Sequence, residues 1–191
     1  MKQLLTLCLT LLFTNSALAA LATGDQAPAI DARASRNGEA FDYSLANALK
    51  TGPVVVYFYP SAYTGGCNVQ AHTFAVNVER FAAAGATVVG VSLDSIERLN
   101  DFSKDPDYCA GQFPVASDPD GTIASAYGLR VGEARAGATD TRGVAIDHGF
   151  AERTTFVVGA DGRIAAVVGG VAPDENVRQA LAAVQKLGHH R

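Results

Sequence analysis

Beyond its first residues the 191-residue sequence lacks any apolar run long enough to cross a membrane, which takes roughly 20 residues. Clustered basic residues are missing too. Its 15 Lys and Arg stand against 19 Asp and Glu, giving a net charge of −4, and their scatter argues against nucleic acid as a partner. There are no internal repeats, linkers or low-complexity stretches, so one compact domain is expected. Cysteine is sparse, three residues in all, and neither these nor the histidines have metal-ligand spacing. No metal and no organic cofactor are expected.

What is present begins with Lys2, an apolar run from Leu4 to Phe13, and small residues ending in Ala17-Leu18-Ala19. This pattern predicts a cleavable signal peptide over residues 1–19, leaving a single domain over 20–191 that is periplasmic or secreted and free of the membrane. Ala20-Leu21-Ala22 repeats the small-x-small pattern, so cleavage after Ala22 fits as well. Cys8 leaves with the signal. Cys67 and Cys109 remain, an even pair that could bond in an oxidising compartment.

Along the chain, Gly24 to Leu45 is rich in turn residues and predicts short strands and a hairpin. Val54 to Tyr59 is a β-branched and aromatic run of buried-strand length, ended by Pro60. Cys67 to Ala84 carries Phe74, Val78 and Phe81 at helical spacing before Gly85. A second strand over Thr87 to Leu93 leads through Asp94 and Ser95, as caps, into a helix reaching Phe102. Asp105-Pro106-Asp107 breaks that helix and leaves Cys109 on a turn expected to be mobile. Phe113 to Val115 predicts a short strand, and Thr122 to Tyr127 a brief helix. Thr154 to Val158 and Ile164 to Val168, joined by Gly159-Ala160-Asp161-Gly162, predict an antiparallel hairpin, followed by a helix from Pro173. The order describes an α/β thioredoxin-like fold, a central mixed sheet flanked by helices with an N-terminal β-hairpin.

Within Pro60-Ser61-Ala62-Tyr63-Thr64-Gly65-Gly66-Cys67 a thiol sits at a helix start, where free backbone N–H groups favour a thiolate. A dithiol exchanger would carry Cys-x-x-Cys at this junction, but Thr64 occupies the earlier position. The hydroxyl of Thr64 and the N–H groups of Gly66 and Cys67 could instead hold the oxygens of a peroxide. Tyr63 is expected at the pocket rim. His72, five residues after Cys67, lies roughly 140° away around the helix and forms no dyad with it.

The pattern Pro60-x-x-x-Thr64-x-x-Cys67 resembles the active-site signature of peroxiredoxins. Similarity extends through Gly24 to Pro28, Phe113 to Asp118 and Arg153 to Val158. In that family an arginine before a late strand reaches the active site, and Arg153 matches it. The resemblance implies catalytic roles for Cys67, Thr64, Arg153 and Pro60. Cys67-Asn68-Val69-Gln70-Ala71 resembles the Q-type, bacterioferritin-comigratory branch, although His72 stands where many members have a second cysteine. Other members carry it shortly before the Phe-Pro strand, which makes Cys109 the candidate resolving thiol. The resemblance implies reduction of hydrogen peroxide or alkyl hydroperoxides through a Cys67 sulfenic acid, a disulfide with Cys109, and a thioredoxin-like or other dithiol reductant. A monomer or weak homodimer is expected.

The alternative is a non-catalytic exported thioredoxin-fold module whose Cys67–Cys109 bond is structural. A third reading, an electron carrier or disulfide exchanger, is disfavoured by Thr64. The glycine-rich segment Gly132 to Gly149 reads either as a loop over the pocket or as an interface.

Overall fold

The computed structural model describes residues 21–188, so the signal-peptide reading of residues 1–19 lies outside the described residues. Strands β1 (Asp31–Arg36) and β2 (Glu39–Ser44) are followed by a single turn of helix, α1 (Leu45–Ala48). Then come β3 (Val54–Phe58), α2 (Gly65–Ala83), β4 (Thr87–Ser92), α3 (Ile96–Lys104), β5 (Val115–Ser117) and α4 (Thr122–Ala126). Two short strands, β6 (Val131–Gly132) and β7 (Phe150–Ala151), precede β8 (Thr154–Val158), β9 (Ile164–Gly169) and α5 (Pro173–Gly188).

Seven strands form one sheet in the order β2-β1-β5-β4-β3-β8-β9. Its centre is parallel, β3 with β4 and β4 with β5, while β8 runs antiparallel to β3. The fold class is that of the expected thioredoxin-like sandwich. The N-terminal hairpin closes at Asn37 and Gly38, whose φ values of 53° and 82° are those a two-residue type I′ turn requires. Its β1 joins the main sheet by pairing antiparallel with β5, Ala34 opposite Ala116.

Alternation along β3 sorts the core into two layers. Val55, Tyr57 and Tyr59 enter a cluster with Phe74 and Phe81 of α2, Leu99 and Phe102 of α3, and Val177 and Leu181 of α5. Val54, Val56 and Phe58 face the opposite layer, with Tyr127, Phe156 and Ile164. Gly90 on β4 allows Tyr57 to lie across it, because a Cβ there would strike the Tyr57 ring. Two expectations need correction. Helix α2 starts at Gly65, two residues before Cys67, and β5 starts at Val115 rather than Phe113. Cys109 sits in the expected turn, its own side chain buried in the first layer while Pro106, Asp107 and Gln112 around it are exposed.

Candidate active site

Pro60 has no backbone N–H to extend β3, and the chain turns there through Ser61 to Tyr63 into α2. Thr64 is the N-cap of α2 in extended conformation, with φ −103° and ψ 148°. Its Oγ1 donates to the Ser61 carbonyl at 2.8 Å rather than capping the helix. The first N–H groups of a helix have no partner within it, and Cys67 lies among them, in the first turn of α2. With its proton committed to Ser61, the Thr64 hydroxyl presents an acceptor.

Arg153 follows β7 and immediately precedes β8. Its Nη2 donates to Cys67 Sγ at 3.2 Å, and its Nη1 donates to Gln70 Oε1. Gln70 is buried and donates in turn to Asn176 Oδ1 at 2.9 Å, an oxygen that also accepts from Thr155 Oγ1. The guanidinium is thus fixed from α2, α5 and β8 together. Gly66 makes room for it: a Cβ there would stand 3.1 Å from Arg153 Nη2 and 3.3 Å from Pro173 Cγ. A positive group so placed stabilises an anionic sulfur and any charge that develops on an oxygen beside it. Pro60, Thr64 and Arg153 line one cavity of about 810 Å³, together with Arg130, Arg135 and Phe150.

A scan of families matches AhpC/TSA over residues 23–167. The chain belongs to this peroxiredoxin family. A Mycobacterium tuberculosis protein whose name places it among the peroxiredoxins is 38% identical over 144 residues, 75% of this chain and 82% of that protein. Escherichia coli peroxiredoxin Bcp is 32% identical over 111 residues, 58% of this chain and 64% of its own. Among solved structures, the peroxidoxin BcpB of M. tuberculosis superposes with a TM-score of 0.71 at 27% identity, covering 86% of this chain and 97% of its own. This peroxiredoxin is therefore a thiol-dependent peroxidase, and its similarity runs to the bacterioferritin-comigratory branch.

Cys67 and Cys109 are both free and buried, and both belong to the first core layer. Neither cysteine lines the cavity itself; Cys67 lies behind Arg153, which does. Burial pushes the Cys109 thiol well above the ordinary value, with the Asp105 carboxylate adding to the effect, so in the closed peroxiredoxin it is a neutral, covered thiol. The carbonyl of Asp105 accepts from the Tyr108 and Ala110 N–H groups and holds the turn. Tyr63 is not at the pocket rim as expected. It is 2% exposed, and its ring packs edge-on against Phe102 and Tyr108 at centroid distances of 5.0 and 5.6 Å. The φ of +61° at Tyr63 turns the side chain into the core. His72 is exposed and its Nδ1 lies 3.0 Å from the Asp107 carbonyl, away from Cys67.

Two supporting residues escaped the sequence reading. Gln70 appeared there only as part of a helix-start pattern, yet it holds Arg153. Asp94 appeared as a helix cap, a role that Ser95 fills by accepting from the Arg98 N–H. The Asp94 carboxylate instead points inward, accepting from Ser61 Oγ at 2.8 Å, the Ala62 N–H at 2.7 Å and Ser92 Oγ at 2.7 Å. His148 Nε2 lies 2.9 Å from its Oδ1, and Arg98 Nε makes an ion contact with the same oxygen at 2.9 Å. Asp94 therefore anchors the start of the loop that carries Thr64. Burial alone would raise its pKa, but the hydrogen bonds from His148, Ser92 and Ala62 outweigh burial and hold it below the usual carboxylate range.

Proposed function

We propose that Cys67 attacks hydrogen peroxide or an alkyl hydroperoxide as its thiolate. The sulfur takes the nearer oxygen to become a sulfenic acid, the O–O bond breaks, and the other oxygen leaves as water or an alcohol once protonated. The Cys109 thiol then displaces hydroxide from the sulfenic sulfur, forming a disulfide and water, and a dithiol reductant of the thioredoxin type restores both thiols. The single observation that carries this reading is the Arg153 guanidinium 3.2 Å from Cys67 Sγ, with Thr64 opening onto the same cavity. Developing negative charge has a donor in place, and a hydroperoxide proton has an acceptor.

Resolution brings the completely buried, uncharged Cys109 thiol to Cys67 within the Cα separation of about 4.4 to 6.8 Å that a disulfide tolerates, and local opening is expected to accompany it. The N-terminal pattern over residues 1–19 supports action outside the cytoplasm. The test is peroxide consumption by the purified 20–191 chain with a dithiol reductant. Wild type is expected to turn over and Cys67→Ser to be inactive. Equal consumption by the two proteins would overturn the assignment.

A further inference from the structure

The segment between β6 and β7 folds back over the loop that precedes Cys67. The Gly149 position admits no side chain, because a Cβ there would strike the Gly132 carbonyl, and this close crossing ties the two ends of the excursion together. Inside it Thr139 pairs with Ala145, and the Ile146 N–H donates to the Ala138 carbonyl. Buried Asp140 caps the tip, its Oδ1 accepting from the Arg142 and Val144 N–H groups.

The tip grips residues 61–63. The Thr141 N–H and Oγ1 both donate to the Tyr63 carbonyl, at 2.9 and 2.8 Å. The Arg142 guanidinium lies over the Tyr63 ring, 3.2 Å from its centroid. The same guanidinium pairs with Asp140 Oδ2 at 2.8 Å, an oxygen also taken by Arg98 Nη2, which donates to the Ala62 carbonyl as well. At the base of the segment His148 meets Asp94, the residue that binds Ser61 and Ala62.

What is gripped is strained. Tyr63 is one of three non-glycine residues in the left-handed region among those described, a conformation that an aromatic side chain keeps only when its surroundings impose it. Two features of Tyr63 itself bear on reactive groups. Tyr63 directly precedes Thr64, so its backbone sets where the helix start and the Thr64 hydroxyl stand. Its ring also covers Tyr108, the neighbour of Cys109.

We propose that residues 138–148 form a brace with opposite effects on the two half-reactions. Engaged, it holds Tyr63 left-handed and the helix start in the geometry that receives peroxide. Released, it lets Tyr63 swing off the Cys109 turn so that Cys67 and Cys109 can meet. Thr141 and Arg142 are positioning residues, acting through Tyr63 rather than on the substrate. This rests on the two-cysteine reading above.

The experiment measures the two half-reactions separately by stopped flow, with Arg142→Ala and Thr141→Val beside wild type. Loss of a brace contact is expected to slow Cys67 oxidation roughly fivefold to tenfold, the worth of one neutral hydrogen bond or one cation–π contact, and to speed disulfide formation and lessen overoxidation. Arg142→Lys, which keeps the cation, should restore part of both rates. A merely structural role would slow both steps together, and that result, or two unchanged rates, would overturn the brace. Labelling of Cys109 by a neutral aromatic disulfide reagent in the native protein provides a readout independent of peroxide. It should accelerate in both variants, and an unchanged labelling rate would refute the brace even if wild type proved inactive with peroxide. Inactive wild type with accelerated labelling would leave the brace standing and remove the two-cysteine reading instead.

Discussion

Replacing Arg153 with Met removes the cation from Cys67 while keeping most of the side-chain volume. Two contacts are lost, the donation to Cys67 Sγ at 3.2 Å and the donation to Gln70 Oε1. A hydrogen bond to a charged group is worth about 1.5–3 kcal/mol. If that stabilisation is realised on the attacking sulfur and on the oxygen leaving it, the barrier rises by the same amount. At about 1.4 kcal/mol per decade, Cys67 oxidation should slow roughly 10- to 100-fold. The assay is single-turnover oxidation of the reduced protein by hydrogen peroxide, which isolates the first chemical step from recycling. Arg153→Lys should fall between, because an ammonium can meet one partner but not both in the fork geometry of a guanidinium. A first-step rate within twofold of wild type in Arg153→Met would refute the electrostatic role assigned here.

Gly66→Ala places a Cβ 3.1 Å from Arg153 Nη2. It is expected to slow the same step by displacing the guanidinium, with thermal stability close to wild type. A large loss of stability with an unchanged rate would contradict this. Phe74→Ala opens a cavity beneath Tyr57, Phe81 and Phe113 and should cost about 3–5 kcal/mol. At roughly 2–4 °C per kcal/mol the melting temperature drops by about 6 to 20 °C, checked by calorimetry. For pH, both nitrogens of His148 face oxygens, Gly149 O at 2.7 Å and Asp94 Oδ1 at 2.9 Å, so the doubly protonated ring fits best. Burial pulls its pKa down, but Asp94 outweighs burial and the net shift is upward. A raised folded pKa means that the stabilisation is complete below the ordinary histidine value of about 6.5 and fades as pH rises through the folded value. The stability gap between wild type and His148→Gln in urea melts should therefore shrink from about pH 6 toward pH 9, and a gap that widens would contradict the ion pair.

Local signals carried most of what the sequence disclosed. The β-branched run at Val54 to Phe58 could satisfy itself only inside a sheet, Asn37-Gly38 and Gly159 to Gly162 supply the backbone their hairpins need, and Thr64 three residues before Cys67 already distinguished the helix start from a dithiol site. The partners of these elements were not legible. Nothing local pairs β1 with β5, since a strand's edge hydrogen bonds carry no address. Asp94 reads as a cap because cap residues and buried acceptors are the same residue types, and only the fold brings His148, 54 positions later, against it. The segment from Gly132 to Gly149 shows no periodicity because it is held by single side chains rather than by an apolar face. Tyr63 was misplaced for a related reason: turn chemistry reports a bend, whereas burial depends on what other elements lay over it.

The central claim is that peroxide oxidises Cys67 and that Cys109 captures the product. Peptide mass spectrometry of the reduced protein after one equivalent of hydrogen peroxide tests it directly. Wild type is expected to give a Cys67–Cys109 crosslinked peptide pair, and Cys109→Ser a single added oxygen on Cys67. Finding Cys67 unmodified after peroxide exposure, or finding the crosslink form as readily without peroxide, would contradict it.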